Sequence, residues 1–149
     1  MNKLIILPIL IIIFFIFTIF YTPSEQKMNE TAVVERVVDG DTFVLEDGTR
    51  VRLIGMDAPE KGQRCSAEAT EFLKNLTEGK EAVLEKDLAN KDYFGRLLRY
   101  VYVDGKFVNE LIVKEGLAVS EIIEPNVKYQ KEIKNAENAA IQEKGCVWR

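Results

Sequence analysis

Apolar and polar residues alternate along three successive stretches of the chain, residues 32–38, 42–45 and 50–56. This alternation is typical of strands that bury one face. The pairs Asp39-Gly40 and Asp47-Gly48, which separate these stretches, are signals for hairpin turns. The pattern therefore predicts a meander of three antiparallel strands.

The remainder of the chain alternates between helical and strand-like patterns. Apolar residues recur at helical spacing after Ser66, a favoured N-cap residue, and Gly79 is predicted to end this helix. The inward positions of the helix are Ala69, Phe72, Leu73 and Leu76. Strands are predicted at 81–86 and 97–103, and helices at 108–115 and 127–144. The last helix is expected to turn Ile133, Ala136, Ala140 and Ile141 inward. Five strands and three helices predict an α+β domain, a small β-barrel covered by helices.

An apolar run precedes this domain. Residues 4–21 are interrupted only by Pro8 and Thr18 and follow Lys3, and no small-x-small cleavage site comes after them. We therefore predict a signal anchor over 1–22, or a signal peptide if it is cleaved, with Lys3 inside and the domain outside. Residues 23–30 are interpreted as a linker and 31–149 as one domain. The expected location is the cell membrane with the domain outside, or the exterior if the leader is removed.

The amino-acid composition excludes two kinds of catalytic site. The chain has no histidine and two cysteines, which excludes a Ser-His-Asp triad and zinc sites built from histidine and cysteine. Hydrolytic chemistry would have to use carboxylates, arginines, tyrosines, lysines or a hard metal ion. The net charge of −4 argues mildly against tight nonspecific binding of nucleic acid over the whole surface, but it allows a local basic groove.

Charged residues gather at the strand ends of the predicted meander. Asp41 follows the first turn, Arg52 lies in the third strand, and Asp57 and Glu60 flank the end of that strand. Carboxylates brought together repel unless a cation separates them, and hard oxygen ligands suit Ca²⁺ or Mg²⁺. We therefore predict a metal site formed by Asp41, Asp57 and the backbone carbonyl of Ala58, with Glu60 as general base. The alternative is that these residues only form turns and solvated strand ends.

The motifs DGDT at 39–42, RLIGMDAPE at 52–60 and YFGR at 93–96, followed by LLRYVYVDGKFVNELIVKEGLA, resemble the staphylococcal nuclease (thermonuclease) family. The similarity covers nearly all of residues 33–148. It implies an OB-fold, a five-stranded barrel with three covering helices. It also implies a Ca²⁺-dependent nuclease that cleaves DNA and RNA with little sequence preference and leaves 3′-phosphates. We expect the protein to be a monomer. A non-catalytic OB module that binds single strands or a protein partner is the alternative.

The resemblance assigns roles to individual residues. Asp41 and Asp57 correspond to the calcium carboxylates, Ala58 to the residue that lends its carbonyl, and Glu60 to the proposed general base. The phosphate-binding arginines correspond to Arg52 and Arg96. The alternative for Arg96 is a surface arginine paired with the nearby Asp92.

The chain departs from the family where nucleotides are bound. The two tyrosines that contact the nucleotide in the family have Glu121 and Ile123 as their approximate counterparts. We expect free mononucleotides to bind weakly and long polymers to be preferred. Tyr93 or Phe94 could supply a substitute stacking surface, although at least one of them is expected in the core.

The two cysteines, Cys65 and Cys146, are expected to form a disulfide because the domain is predicted to lie outside the membrane. Such a bond would fasten the carboxy-terminal segment to the first covering helix. Two buried free thiols are the alternative.

Overall fold

A computed structural model describes residues 29–149. The predicted anchor at 1–22 and most of the predicted linker lie outside the described residues. Within 29–149, no helix has both the length and the apolar character that crossing a bilayer requires.

The described chain forms eight strands and three α-helices. The strands are β1 (Asn29–Val37), β2 (Thr42–Leu45), β3 (Arg50–Leu53), β4 (Met56–Asp57), β5 (Glu81–Glu85), β6 (Leu97–Val103), β7 (Lys106–Phe107) and β8 (Val119–Ser120). The helices are α1 (Ser66–Thr77), α2 (Val108–Lys114) and α3 (Gln130–Gln142), followed by a 3₁₀ turn at Cys146–Trp148.

Five of the strands close into a barrel. Antiparallel pairing joins β3 to β2, β2 to β1, β1 to β5 and β5 to β6, and the parallel pair β3–β6 completes the ring. β1 pairs with both β2 and β5 because the register shifts between Val34 and Arg36, where the strand bends. The predicted α+β fold, an OB barrel with three helices, is confirmed.

Two predicted strand boundaries were wrong. The third strand was expected to reach residue 56 but ends at Leu53, because Gly55 adopts a φ of 82° and turns the chain into β4. The first strand begins at Asn29, inside the stretch interpreted as linker. The carboxylate of Glu30 there lies 2.8 Å from the buried guanidinium of Arg99, and Asn29 pairs with Glu85.

The core lies inside the barrel and under the helices. The largest fully buried side chains include Phe43, Leu53, Leu84 and Tyr100, which come from four different barrel strands. The predicted inward residues of α1 and α3 are buried or partly buried, with one exception. Ile141 is 43% exposed, because it lies one position beyond the buried Ala140 and is rotated about 100° away from the core.

The carboxy-terminal segment is fastened to the domain at two points. A disulfide joins Cys65, directly before α1, to Cys146, as predicted. Beside it, Gly116 and Gly145 pack backbone to backbone, and a Cβ on Gly116 would lie only 2.4 Å from the Cα of Gly145. The amide of Val147 donates a 2.9 Å hydrogen bond to the carbonyl of Gly116. The close approach of these two glycines brings the disulfide-bonded segment against the end of α2.

Candidate active site

The register of three barrel strands brings the predicted site residues together. Thr42 of β2 pairs with Arg52 of β3, and Arg52 pairs with Leu98 of β6. Asp41 directly precedes β2, and Arg96 directly precedes β6. Residues that are more than fifty positions apart in the chain therefore meet at one end of these strands.

Gly40 allows the first turn to approach the rest of the site. A Cβ at this position would lie 2.6 Å from the Cβ of Ala58 and 2.7 Å from that of Ala69. The turn therefore requires a glycine for close packing rather than for a left-handed φ. The approach allows the amide of Ala58 to donate a 3.1 Å hydrogen bond to Oδ2 of Asp41, and the Thr42 hydroxyl donates a 2.8 Å bond to Oδ1.

Arg52 lies at the centre of three carboxylates. Its Nη1 lies 2.9 Å from Oδ2 of Asp41, and its Nη2 lies 2.8 Å from Oδ1 of Asp57 and 3.2 Å from Oε2 of Glu121. Nη1 also donates a 2.9 Å hydrogen bond to the carbonyl of Met56. The Arg52 side chain is 8% exposed, whereas those of Asp57 and Glu121 are about half exposed. One buried cation therefore serves several acids, and the local charge is negative.

Asp41 titrates abnormally for an aspartate. Burial disfavours its charged form and raises its pKa from 3.8 to about 6; Asp39 adds to the shift, while the charge of Arg52 opposes it. The three carboxylates that contact Arg52 carry more negative charge than this one guanidinium offsets, which favours the approach of a cation.

Arg96 belongs both to its own loop and to the site. Its Nε lies 2.7 Å from Oδ2 of Asp92, as the surface-pair alternative predicts. Its Nη1 also donates a 3.3 Å hydrogen bond to Oγ1 of Thr42, which in turn binds Asp41. Although burial acts in the opposite direction, hydrogen bonds and charge from Arg96 lower the pKa of Asp92. Asp92 therefore holds Arg96 in place, and the hydroxyl of Thr42 links Arg96 to Asp41.

Glu60 lies at the edge of an open cleft. The cleft has a volume of about 460 Å³ and is also lined by Asp57, Ala58 and Arg64. The amide of Glu60 donates a 2.8 Å hydrogen bond to Oε1 of Gln63, which fixes the backbone, and the residue is exposed. Among residues 29–149 its carboxylate makes no hydrogen bond or salt bridge, so it is available to accept a proton.

The oxygen donors at this site fit a hard cation. Asp41 and Asp57 contact Nη1 and Nη2 of the same guanidinium, and the amide of Ala58 donates a hydrogen bond to Asp41. In the described part of the chain no group of three acidic, histidine or cysteine side chains is arranged to hold a metal. If Asp41, Asp57 and the Ala58 carbonyl held a metal as predicted, these three ligands would leave coordination positions for water and substrate.

The aromatic pair before Arg96 projects into solvent. Tyr93 is 98% exposed and Phe94 is 80% exposed, so the expectation that one of them lies in the core was wrong. Asp92 accepts hydrogen bonds from the amides of Phe94 and Arg96, and Gly95 takes a φ of 79°, which turns the loop tip outwards. The Phe94 ring centroid lies 5.5 Å from the guanidinium carbon of Arg96. The pair forms an exposed apolar surface beside a phosphate-binding candidate.

Sequence reasoning missed two members of the site, Thr42 and the carboxylate role of Glu121. Thr42 lies inside the DGDT motif, which was a usable signal. Glu121 follows β8, which pairs with β4, and its amide donates a 2.9 Å hydrogen bond to the carbonyl of Gly55. Ile123 instead packs, partly buried, against the core. Of the two positions compared with the family's tyrosines, position 121 contacts the site.

Comparisons with known proteins identify a family and several relatives. The model of the family described as Staphylococcal nuclease homologue matches residues 50–149. The chain is 37% identical over 139 residues to the thermonuclease of Staphylococcus hyicus, covering 87% of this chain and 82% of that protein. It is 36% identical over 138 residues to the thermonuclease of Staphylococcus intermedius, with the same two coverages. It is also 38% identical over 136 residues to endonuclease YncB of Bacillus subtilis strain 168, covering 84% of this chain and 64% of that protein.

Proposed function

The chain belongs to the staphylococcal nuclease family and is a nuclease, and from this premise we propose that it is an extracytoplasmic, Ca²⁺-dependent enzyme that hydrolyses phosphodiester bonds of DNA and RNA with little sequence preference. The observation that carries the proposal is the meeting of Asp41, Arg52 and Asp57 beside the open cleft of Glu60. A binding module would not need this concentration of acids, which repels phosphate in the absence of a cation.

Each candidate residue has a separate role in the proposed hydrolysis. Glu60, whose carboxylate is unpaired within 29–149, takes a proton from the attacking water. Arg52 and Arg96 donate hydrogen bonds to the nonbridging oxygens, where charge grows in the transition state. Asp41, Asp57 and the carbonyl of Ala58 would hold the metal. When bound, Ca²⁺ supplies positive charge that offsets these carboxylates and stabilises the developing phosphate charge. We further propose 3′-phosphate products.

The preferred substrate is a long strand. Position 121 carries a carboxylate instead of a stacking ring, and Ile123 packs against the core, so a free mononucleotide finds little surface for its base. A polymer can use both Arg64 in the cleft and the exposed Tyr93 and Phe94. We expect cleavage efficiency to rise with strand length.

An external location is supported by the disulfide between Cys65 and Cys146, since such bonds persist in oxidising compartments. We propose that residues 1–22 anchor a monomeric domain to the outside of the cell membrane, or direct its secretion if they are cleaved. Protease added to intact cells should then remove the domain. Protection of the domain from protease would contradict the proposed location.

The activity is tested with the purified full chain in detergent, using single-stranded DNA and RNA with Ca²⁺ or with chelator. We expect cleavage only with Ca²⁺, and 3′-phosphate ends by end-group analysis. The absence of metal-dependent cleavage from neutral to alkaline pH would favour the non-catalytic OB module instead.

Two substitutions separate the proposed roles. Glu60→Gln should lower turnover by about 10²–10⁴-fold while sparing Ca²⁺ affinity, whereas Asp41→Ala should weaken both. Glu46→Gln, at an exposed turn position, is the matched control. Equal loss of Ca²⁺ binding in the Glu60 and Asp41 variants would make Glu60 a ligand.

A further inference from the structure

The outer edge of the Arg52 guanidinium is already occupied by Glu121, which the pairing of β4 with β8 brings to the site. Nη1 points inwards to Asp41 and to the carbonyl of Met56. Nη2 is shared by Asp57 and Glu121, whose side chains are about half exposed. Nη2 is therefore the edge that an incoming phosphate oxygen can reach, and Glu121 lies on it at 3.2 Å.

Glu121 differs from Asp41 in its attachment, and like that of Asp57 its carboxylate contacts only Arg52 among the described residues. It is separated from Arg52 by 69 positions, and its backbone is held by the hydrogen bond to Gly55. Asp41 is additionally bound by the Ala58 amide and the Thr42 hydroxyl. In contrast, the Glu121 carboxylate has only the Arg52 contact among the described residues. A half-exposed side chain with one partner can rotate into solvent without breaking any other contact.

A carboxylate and a phosphate compete for the same donors, because both present paired anionic oxygens to a guanidinium. We propose that Glu121 is a specificity-determining residue. In the free enzyme its carboxylate occupies the position beside Nη2 of Arg52 where a phosphate oxygen would bind, and it leaves this position when a phosphodiester binds. This inference rests on the proposed nuclease function.

The competition discriminates between phosphate groups by their charge. An internal phosphodiester carries one negative charge, whereas a terminal phosphate monoester carries about two at pH 8. Repulsion from Glu121 therefore acts more strongly on monoesters, which are the ends of short fragments and of products. Long strands also gain contacts elsewhere on the surface, and these offset the displacement of Glu121. The residue thus disfavours retention of product and binding of mononucleotides.

The test compares Glu121→Gln with wild type and with the control Glu124→Gln. The control removes the same charge from an exposed glutamate that makes no salt bridge within 29–149. Thymidine 3′-monophosphate is the monoester probe, and single-stranded DNA is the substrate. We expect the inhibition constant of the monoester to fall by about three- to tenfold in Glu121→Gln, as for loss of one competing ion pair to a buried arginine. The KM for DNA should fall less, and kcat should change least.

A second measurement does not depend on turnover. Calorimetry of thymidine 3′-monophosphate and of Ca²⁺ is carried out on Glu60→Gln with and without Glu121→Gln. Tighter monoester binding with unchanged Ca²⁺ affinity supports the proposal even if the wild type cleaves nothing. Unchanged monoester binding overturns it, and so does weaker Ca²⁺ binding, which would make Glu121 a metal ligand. A loss of thermal stability that accompanies unchanged binding would assign Glu121 a structural role only.

Discussion

The two arginines of the site are held in very different ways. The Arg52 side chain is 8% exposed, sits inside the barrel wall and contacts three carboxylates, whereas that of Arg96 is 24% exposed and is held chiefly by Asp92 in its own loop. The same guanidinium group is therefore buried among acids at position 52 and partly exposed at the edge of the site at position 96. We call Asp41 and Arg52 the floor of the site, and the exposed loops that carry Glu60 and residues 93–96 its rim. We expect the floor to be coupled to folding and the rim mainly to substrate.

The largest expected contrast comes from removing each arginine in turn. Arg52→Met leaves the buried Asp41 and its neighbours without their cation, and should cost about 3–5 kcal/mol of unfolding free energy at pH 8 in chelator. Arg96→Met should cost under about 1 kcal/mol. Both should lower kcat by about 10²–10³-fold with Ca²⁺. Urea unfolding and single-stranded DNA cleavage measure these effects.

The exposed Arg50, two residues before Arg52 in β3, provides the control as Arg50→Met and should change neither quantity appreciably. Equal stability losses for the Arg52 and Arg96 variants would show that the floor and the rim do not differ.

The disulfide supports the rim rather than the floor, because Cys65 ends the loop that carries Glu60. Its 81-residue separation predicts that Cys65→Ala/Cys146→Ala lowers the unfolding free energy by up to about 4.5 kcal/mol. Amide hydrogen exchange should accelerate around residues 60–65 more than in β2 and β3. Reduced wild type is the matched control. Uniform acceleration throughout the barrel would contradict the distinction.

The floor should also show a pH dependence in metal-free protein. The folded pKa of Asp41, about 6, lies above its usual 3.8, so the folded state binds the proton more tightly than the unfolded state does. The stabilisation is present below about pH 4 and is lost as the pH rises through 6, up to about 3 kcal/mol. Urea unfolding in chelator across this range, compared between wild type and Asp41→Asn, isolates the effect. Parallel curves for the two proteins would exclude Asp41 as its source.

The smallest expected effect concerns Tyr93 and Phe94, the exposed aromatic pair in the loop before Arg96. Tyr93→Ala/Phe94→Ala should raise the KM for single-stranded DNA by the equivalent of about 1–3 kcal/mol, the worth of a stacked base. Stability should hardly change, because both rings are exposed. Leu88→Ala, an exposed apolar residue in the same loop, is the control. Similar KM values for the three proteins would show that this aromatic pair does not contact substrate.

Much of the molecule was predictable from local pattern. The alternation over 32–53 and the helical spacing after Ser66 reflect burial of one face, which a sequence displays directly, and the barrel and helices follow it. The candidate acids and arginines were recognisable because their motifs lie at strand ends. The oxidised pair Cys65–Cys146 followed from residue count and the predicted compartment.

The charge environment of those residues was decided only by tertiary structure. The parallel pairing of β3 with β6 brings the loop of Arg96 to Thr42, and the pairing of β4 with β8 delivers Glu121 to Arg52. Neither contact leaves a periodic signal, because each joins residues more than fifty positions apart through strand register. The exposure of Tyr93 and Phe94 likewise depends on a loop turn fixed by Asp92 rather than on the apolar character of the rings. The sequence thus indicated the candidate acids and arginines of the site, and the tertiary structure determined that Glu121 joins them and that three acids share Arg52.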